Sequence, residues 1–220
     1  MTENLERLVE QNEMVRPKDD EVITAVAVLG AGTVGQGLAQ TISQHGIEVV
    51  LIEQDQSALD DAMEELNEKL DHQISRWSLT ESDKRAILTR IEGTTSIEEV
   101  EDCDLLIEAI PEIIEEKKQL MKVVDSICPP ETVFITNTST LSITEIAAAT
   151  NREEQVIGMH FLNPVPRIPL VEIIRGLKTS DRTVRYVRRF AEMLDKTAVE
   201  VYEYPGYVTT RIILPTLNEA

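Results

Sequence analysis

The stretch VITAVAVLGAGTVGQGLAQ, residues 22–40, decides the fold. Its first part, residues 22–29, is a nearly unbroken apolar and β-branched run, the pattern of a strand buried on both faces of a parallel sheet. The run ends at Gly30, where Gly30-Ala31-Gly32-Thr33-Val34-Gly35 has the spacing G-x-G-x-x-G. Apolar residues then recur with a helical period at Val34, Leu38 and Ile42, and a second strand is predicted over residues 47–52. Strand, glycine turn, helix and strand within about thirty residues make a β-α-β unit.

In such a unit Gly30 makes the tight turn, Gly32 lets the backbone approach a pyrophosphate, and Gly35 permits close helix-to-strand packing. Thr33 and Val34 open the helix, whose free amides and positive dipole end meet phosphates without a basic side chain. Glu53 ends the second strand about 20 residues after the loop, where a carboxylate accepts from both ribose hydroxyls and repels a 2′-phosphate. NAD is therefore expected rather than NADP. The glycine spacing alone also fits an ordinary turn. Its place between a strand and a helix, with Glu53 following, is what points to a dinucleotide.

Working outward, a long acidic helix is expected over residues 57–78. A second begins near Thr80, where Thr80-x-x-Asp83 has the form of a capping arrangement. Further strands fit residues 104–110, 132–136, 156–160, 170–174 and 198–202, with helical stretches between most of them. This alternation predicts an α/β fold of Rossmann type, a doubly wound, mostly parallel sheet with helices on both faces. Residues 1–20 read as an amino-terminal helical extension and linker, with Leu5, Leu8 and Val9 on one stripe. Residues 21–205 read as the NAD-binding domain. Residues 206–220 read as the start of a helix that leads to a further domain, because apolar residues still recur at the last turn.

The chain has 220 residues and carries 40 acidic against 21 basic side chains, a formal charge of -19 that argues against a nucleic-acid partner. A phosphorylated ligand must then find local donors, which backbone amides supply. No apolar run reaches the roughly 18 residues needed to span a bilayer. The first residues lack the basic flank and apolar block of a secretory signal, so the cytoplasm is expected and a membrane partner is not. Cys103 and Cys128 stand without a CxxC or HxxxH pattern, so neither a disulfide framework nor a metal site is expected.

A second group of polar residues follows predicted strands: Asn137-Thr138-Ser139-Thr140, then His160-Phe161-Leu162-Asn163-Pro164, with Glu172 beyond. At the carboxyl ends of parallel strands they would gather in the crevice where open α/β sheets bind ligands. Taken alone, His160 also fits a satisfied buried histidine, and Glu172 an edge carboxylate. The stretch NTSTLSITEIAAATNREEQVIGMHFLNPVPRIPLVEIIRG (residues 137–176), with VAVLGAGTVGQGLAQ (26–40) and PGYVTTRIILPTLNEA (205–220), resembles the 3-hydroxyacyl-CoA dehydrogenases.

The resemblance implies an NAD-dependent oxidoreductase acting on carbon 3 of an acyl thioester, with CoA as the expected carrier. It makes His160 the general base, Glu172 the group that orients its imidazole, and Ser139 a hydrogen-bond partner of the substrate oxygen, with Asn163 in the same wall. It sets Glu112 and Lys117, in IPEIIEEKK (110–118), near the nicotinamide ribose; a charged first turn of a helix is the other reading. Three departures stand out. Thr210 occupies a substrate-contact position where the family usually has asparagine, and Pro169 stands where a lysine is common. The acidic helix that the resemblance sets beside CoA has only Lys69 and then Arg76 to meet phosphates, and solvated surface charges are the other reading for both. The resemblance also implies an all-helical second domain that closes the crevice and forms a dimer, so a homodimer or a partner subunit is expected to supply that wall. Two alternatives stay open: a non-catalytic NAD-binding or structural protein of the same fold, and a dehydrogenase of another 3-hydroxy acid.

Overall fold

Apolar side chains alternate between the two faces of the central strands, and this sets the layers. In β1 (Ala25–Leu29), Val26 and Val28 enter one core while Ala27 and Leu29 enter the other. β4 (Leu105–Glu108) and β5 (Val133–Thr136) repeat the pattern, with Leu106 and Phe134 facing opposite to Leu105, Ile107, Val133 and Ile135. A period of two with both faces apolar requires a helical layer on each side. The computed structural model describes residues 22–219, so the extension expected over residues 1–20 lies outside the described residues.

With β2 (Glu48–Ile52), β3 (Ile91–Thr94), β6 (Val156–Phe161), β7 (Leu170–Arg175) and β8 (Thr197–Val201), these strands form one sheet in the order β3-β2-β1-β4-β5-β6-β7-β8. Every neighbouring pair is parallel except β6 and β7. The order reverses between β1 and β4, the switch point at which such sheets open a crevice at their carboxyl ends. The helices are α1 (Thr33–Gln44), α2 (Gln56–Ser75), α3 (Glu81–Thr89), α4 (Ile114–Asp125), α5 (Ile143–Ala147), α6 (Asp181–Met193) and α7 (Thr209–Asn218). Among the described residues no helix is long and apolar enough to cross a membrane.

The expected strands are all present, each within a few residues of its expected bounds, and Thr80 with Asp83 forms a reciprocal capping box at α3. β3 was not expected. It is a four-residue edge strand with only Ile91 buried, so it carries no apolar run to read. In α7 no residue is buried, and Ile212, Ile213, Leu214 and Leu217 are exposed.

The turn after α2 is a Schellman motif. The amide of Ser78 donates to Gln73 O at 3.1 Å and that of Trp77 to Ile74 O at 2.9 Å. This places Trp77 in the left-handed region at φ 60, where glycine is usual and a bulky residue is costly. Trp77→Gly should therefore stabilise the chain by roughly 1 kcal/mol, read from chemical denaturation. A destabilised variant would mean that the indole makes contacts that outweigh the backbone cost.

Candidate active site

Elements converging at the carboxyl edge of the sheet build two adjoining parts of one site. The first follows β1. Gly30 adopts φ +100, and a Cβ there would sit 2.9 Å from Ala109 O. A Cβ on Gly35 would lie 1.8 Å from Gly30 O, so only glycine lets α1 approach the turn so closely. At Gly32 nothing lies within 4 Å of a Cβ position, which leaves open space in front of the helix. Thr33 and Val34 begin α1, which has no side-chain cap and no acid in its first turn. Those first-turn amides and the dipole behind them suit an anion.

Glu53 follows β2 and is half-buried, its backbone amide held by Thr94 O at 3.1 Å. Its carboxylate accepts from the Ala31 amide at 2.9 Å and from the Gln54 amide at 2.7 Å. It is therefore fixed beside the glycine turn, and each oxygen keeps further acceptor capacity. The open space at Gly32, the uncapped helix start and the fixed carboxylate together fit a dinucleotide.

The second part depends on the one antiparallel pairing. Because β7 runs back along β6, Glu172 is the register partner of His160 and projects from the same face. His160 Nδ1 lies 2.7 Å from Glu172 Oε2, with His160 8 % and Glu172 1 % exposed. Glu172 also accepts from the Val208 and Thr209 amides, both at 3.0 Å, and from Thr209 Oγ1 at 2.8 Å. Burial pushes this carboxyl up, but the His160, Thr209 and Val208 donors outweigh it and hold Glu172 below the usual carboxylate range. As a carboxylate it can only accept, so His160 Nδ1 donates and Nε2 is the ring nitrogen left for a substrate. The Tyr207 ring packs against the imidazole with centroids 5.7 Å apart. The amide of Phe161 donates to Asn137 Oδ1 at 2.9 Å, tying the end of β6 to the turn after β5.

Between the two parts stands Glu112, just before α4. Its Oε1 is met by Thr138 Oγ1 at 2.6 Å, the Ser139 amide at 2.8 Å, the Thr140 amide and Thr140 Oγ1 at 3.0 Å, and Ser139 Oγ at 3.1 Å. Burial pushes Glu112 up, and the Thr138, Ser139, Thr140 and Lys117 partners more than reverse it, so it stays ionised. Lys117 is 1 % exposed, and its ammonium contacts Glu108 Oε1 at 2.6 Å, Ile110 O at 3.0 Å and Glu112 Oε2 at 3.5 Å. Lys117 does lie in the charged first turn of α4, but it is buried against Glu108 instead of facing solvent. The chain folds over it because Glu108, at the end of β4, supplies a buried counter-charge.

Residues 25–204 match the family described as 3-hydroxyacyl-CoA dehydrogenase, NAD binding domain. The chain belongs to the 3-hydroxyacyl-CoA dehydrogenase family. The probable 3-hydroxybutyryl-CoA dehydrogenase of Bacillus subtilis is 44% identical over 198 residues, which are 90% of this chain and 69% of that protein. The 3-hydroxybutyryl-CoA dehydrogenase of Clostridioides difficile is 42% identical over 195 residues, 89% of this chain and 69% of the relative. The crystal structure of (S)-3-hydroxybutyryl-CoA dehydrogenase PaaH1 from Ralstonia eutropha superposes with a TM-score of 0.86 at 40% identity, covering 90% of this chain and 70% of that one.

In this dehydrogenase domain the expected residues lie in three places. Gly30, Gly32, Thr33, Val34, Gly35 and Glu53 gather at the switch point; Ser139, Glu112 and Lys117 lie along the ends of β4 and β5; His160 and Glu172 form the pair on β6 and β7. Asn163 is exposed in the loop after β6, where it lines a groove of about 1080 Å³ between α1, α2 and that loop, together with Lys69, Arg76 and Arg167. Lys196 holds the loop by donating to Val165 O at 2.5 Å and Ile168 O at 2.8 Å. Thr210 sits in the first turn of α7, but the threonine hydroxyl bonded to Glu172 is that of Thr209. Sequence reasoning missed Thr209, Tyr207 and Glu108. The antiparallel turn of β7 and the start of α7 show why Thr209 and Tyr207 matter, and the buried Lys117 shows why Glu108 does; no local pattern announces any of the three.

Proposed function

We propose that this chain interconverts a 3-hydroxyacyl-CoA and its 3-keto form, the His160–Glu172 pair at the same sheet edge as the glycine turn being the observation that carries the reading. Bound NAD supplies the hydride acceptor at carbon 3. The uncapped start of α1, with Gly30, Gly32, Thr33, Val34 and Gly35, would hold its pyrophosphate, and Glu53 its ribose hydroxyls.

On the protein side, His160 Nε2 takes the proton of the 3-hydroxyl as that oxygen becomes a carbonyl, and returns it in the reverse direction. Glu172 keeps the imidazole oriented and lowers the cost of its charged form, because its carboxylate is already ionised and held by three further donors. Ser139 is fixed by Glu112 with its hydroxyl at the edge of the crevice, so it is the group proposed to meet the substrate oxygen. Thr210 is retained as a candidate substrate contact from α7.

The carrier belongs in the groove lined by Asn163, Lys69, Arg76 and Arg167, where these three cationic side chains stand with Glu65 and Glu68 in a chain of formal charge -19. Lys69 is fixed there by Gln36 Oε1 at 2.5 Å and Glu65 at 3.3 Å. The test of the carrier is NADH oxidation with acetoacetyl-CoA against the same reaction with free acetoacetate. We expect kcat/KM to be about tenfold or more higher for the thioester, the size of one modest binding contribution. Equal values would assign the enzyme to free 3-hydroxy acids.

A further inference from the structure

We infer that Trp77 is a stacking platform for the adenine of CoA at the outer end of the groove; the inference rests on the reading of that groove as the carrier site. Three observations meet there. Trp77 is 95 % exposed and held in the left-handed region at φ 60, so the fold maintains a conformation unfavourable for a bulky side chain and leaves its indole in water. Strain of this kind persists where the surroundings enforce it and is concentrated at functional positions. The Schellman bonds to Gln73 and Ile74 enforce it here, and Ser78 Oγ adds a third bond to Gln73 O at 2.9 Å.

The groove also has a direction. Gln36 of α1 bonds Glu65 of α2, and farther along Gln40 bonds Gln73, so the two helices run side by side away from the carboxyl edge of the sheet. Thr33 and Asn163 mark the inner end near the reacting groups, and Arg76 and Ser78 line the outer end. From Glu65 to Arg76 the groove follows α2 for about 16 Å. A thioester with its acyl group at His160 would therefore send its phosphates toward Lys69, His72, Arg76 and Arg167 and its base beyond them. Trp77 does not itself line the groove; it lies in the chain between the lining residues Arg76 and Ser78, at the rim, and a purine offers its exposed indole a flat apolar face.

Trp77 is the only tryptophan of the chain, so selectively excited indole emission reports this position alone. Titrating the protein with CoA, without NADH, should quench that emission saturably, whereas pantetheine and inorganic phosphate should not. Trp77→Gly should raise KM for acetoacetyl-CoA about fivefold or more relative to its effect on acetoacetyl-pantetheine, and Trp77→Phe should restore part of the difference. Because glycine suits the turn better, a loss in Trp77→Gly cannot be put down to unfolding. Absence of quenching together with an unchanged ratio of KM values overturns the inference. If Lys69→Ala and Arg76→Ala then still raise KM for the CoA ester, the groove reading stands and only the stacking falls; if they too have no effect, both fall. A Trp77→Gly variant that changes sedimentation but not the KM ratio overturns the inference by assigning Trp77 to a contact between copies.

Discussion

Replacing His160 with glutamine will lower kcat for acetoacetyl-CoA reduction about a hundredfold or more while NADH affinity stays near that of the unaltered chain. The expectation follows from the separation of the two parts of the site. The glycine turn and Glu53 are built on β1, α1 and β2, whereas His160 lies on β6 and takes no part in their hydrogen bonds. Glutamine can still donate to Glu172, so the buried carboxylate keeps a partner and the fold is retained. What is lost is the ring nitrogen that takes and returns the substrate proton, and that loss belongs to the chemical step rather than to binding. Steady-state rates with a parallel NADH titration check it. A variant with undiminished kcat would remove His160 from the role of base, and one that fails to bind NADH would show that the two parts are coupled.

Lys117→Met will destabilise the chain by about 3–5 kcal/mol at neutral pH, as expected when one member of a buried ion pair is removed. Glu108 is fully buried, and Lys117 is its only cationic contact among the described residues. Burial pushes the Glu108 carboxyl up, so without the ammonium it is driven to take up a proton. A carboxyl raised in the folded state favours folding below its unfolded value of about 4.3 and loses that contribution as pH rises. The deficit should thus shrink as pH falls and widen toward neutrality. Lys117→Met with Glu108→Gln should recover most of the loss, since the amide oxygen can accept from the Ile110 amide while the amide NH2 donates to Thr136 Oγ1. Urea unfolding across pH checks both variants. A deficit independent of pH would mean that packing, not charge, makes Lys117 necessary.

What could be read from the sequence followed physical locality. The glycine turn was legible because three constraints, a tight turn, an open approach and a close helix contact, fall within six residues. In the structure they are the φ of Gly30, the space at Gly32 and the 1.8 Å limit at Gly35. The doubly wound sheet was legible because its central strands are apolar on both faces. β3 was not, since an edge strand with one buried residue writes no such run. Of the second part of the site, only the resemblance tied His160 to Glu172. That they touch depends on β7 reversing direction, which the alternation of strands and helices does not encode. The burial of Lys117 was not legible, because its neighbours Glu115, Glu116 and Lys118 are charged and its counter-charge, Glu108, stands nine residues earlier on another element.

The most direct measurement is NADH oxidation by the purified chain with acetoacetyl-CoA, followed beside NADH binding in the same preparation. NADH is expected to bind and to be consumed in proportion to the 3-hydroxyacyl-CoA formed. Binding with no consumption at saturating acetoacetyl-CoA would contradict it, and would leave an NAD-binding domain in which the His160–Glu172 pair does no chemistry.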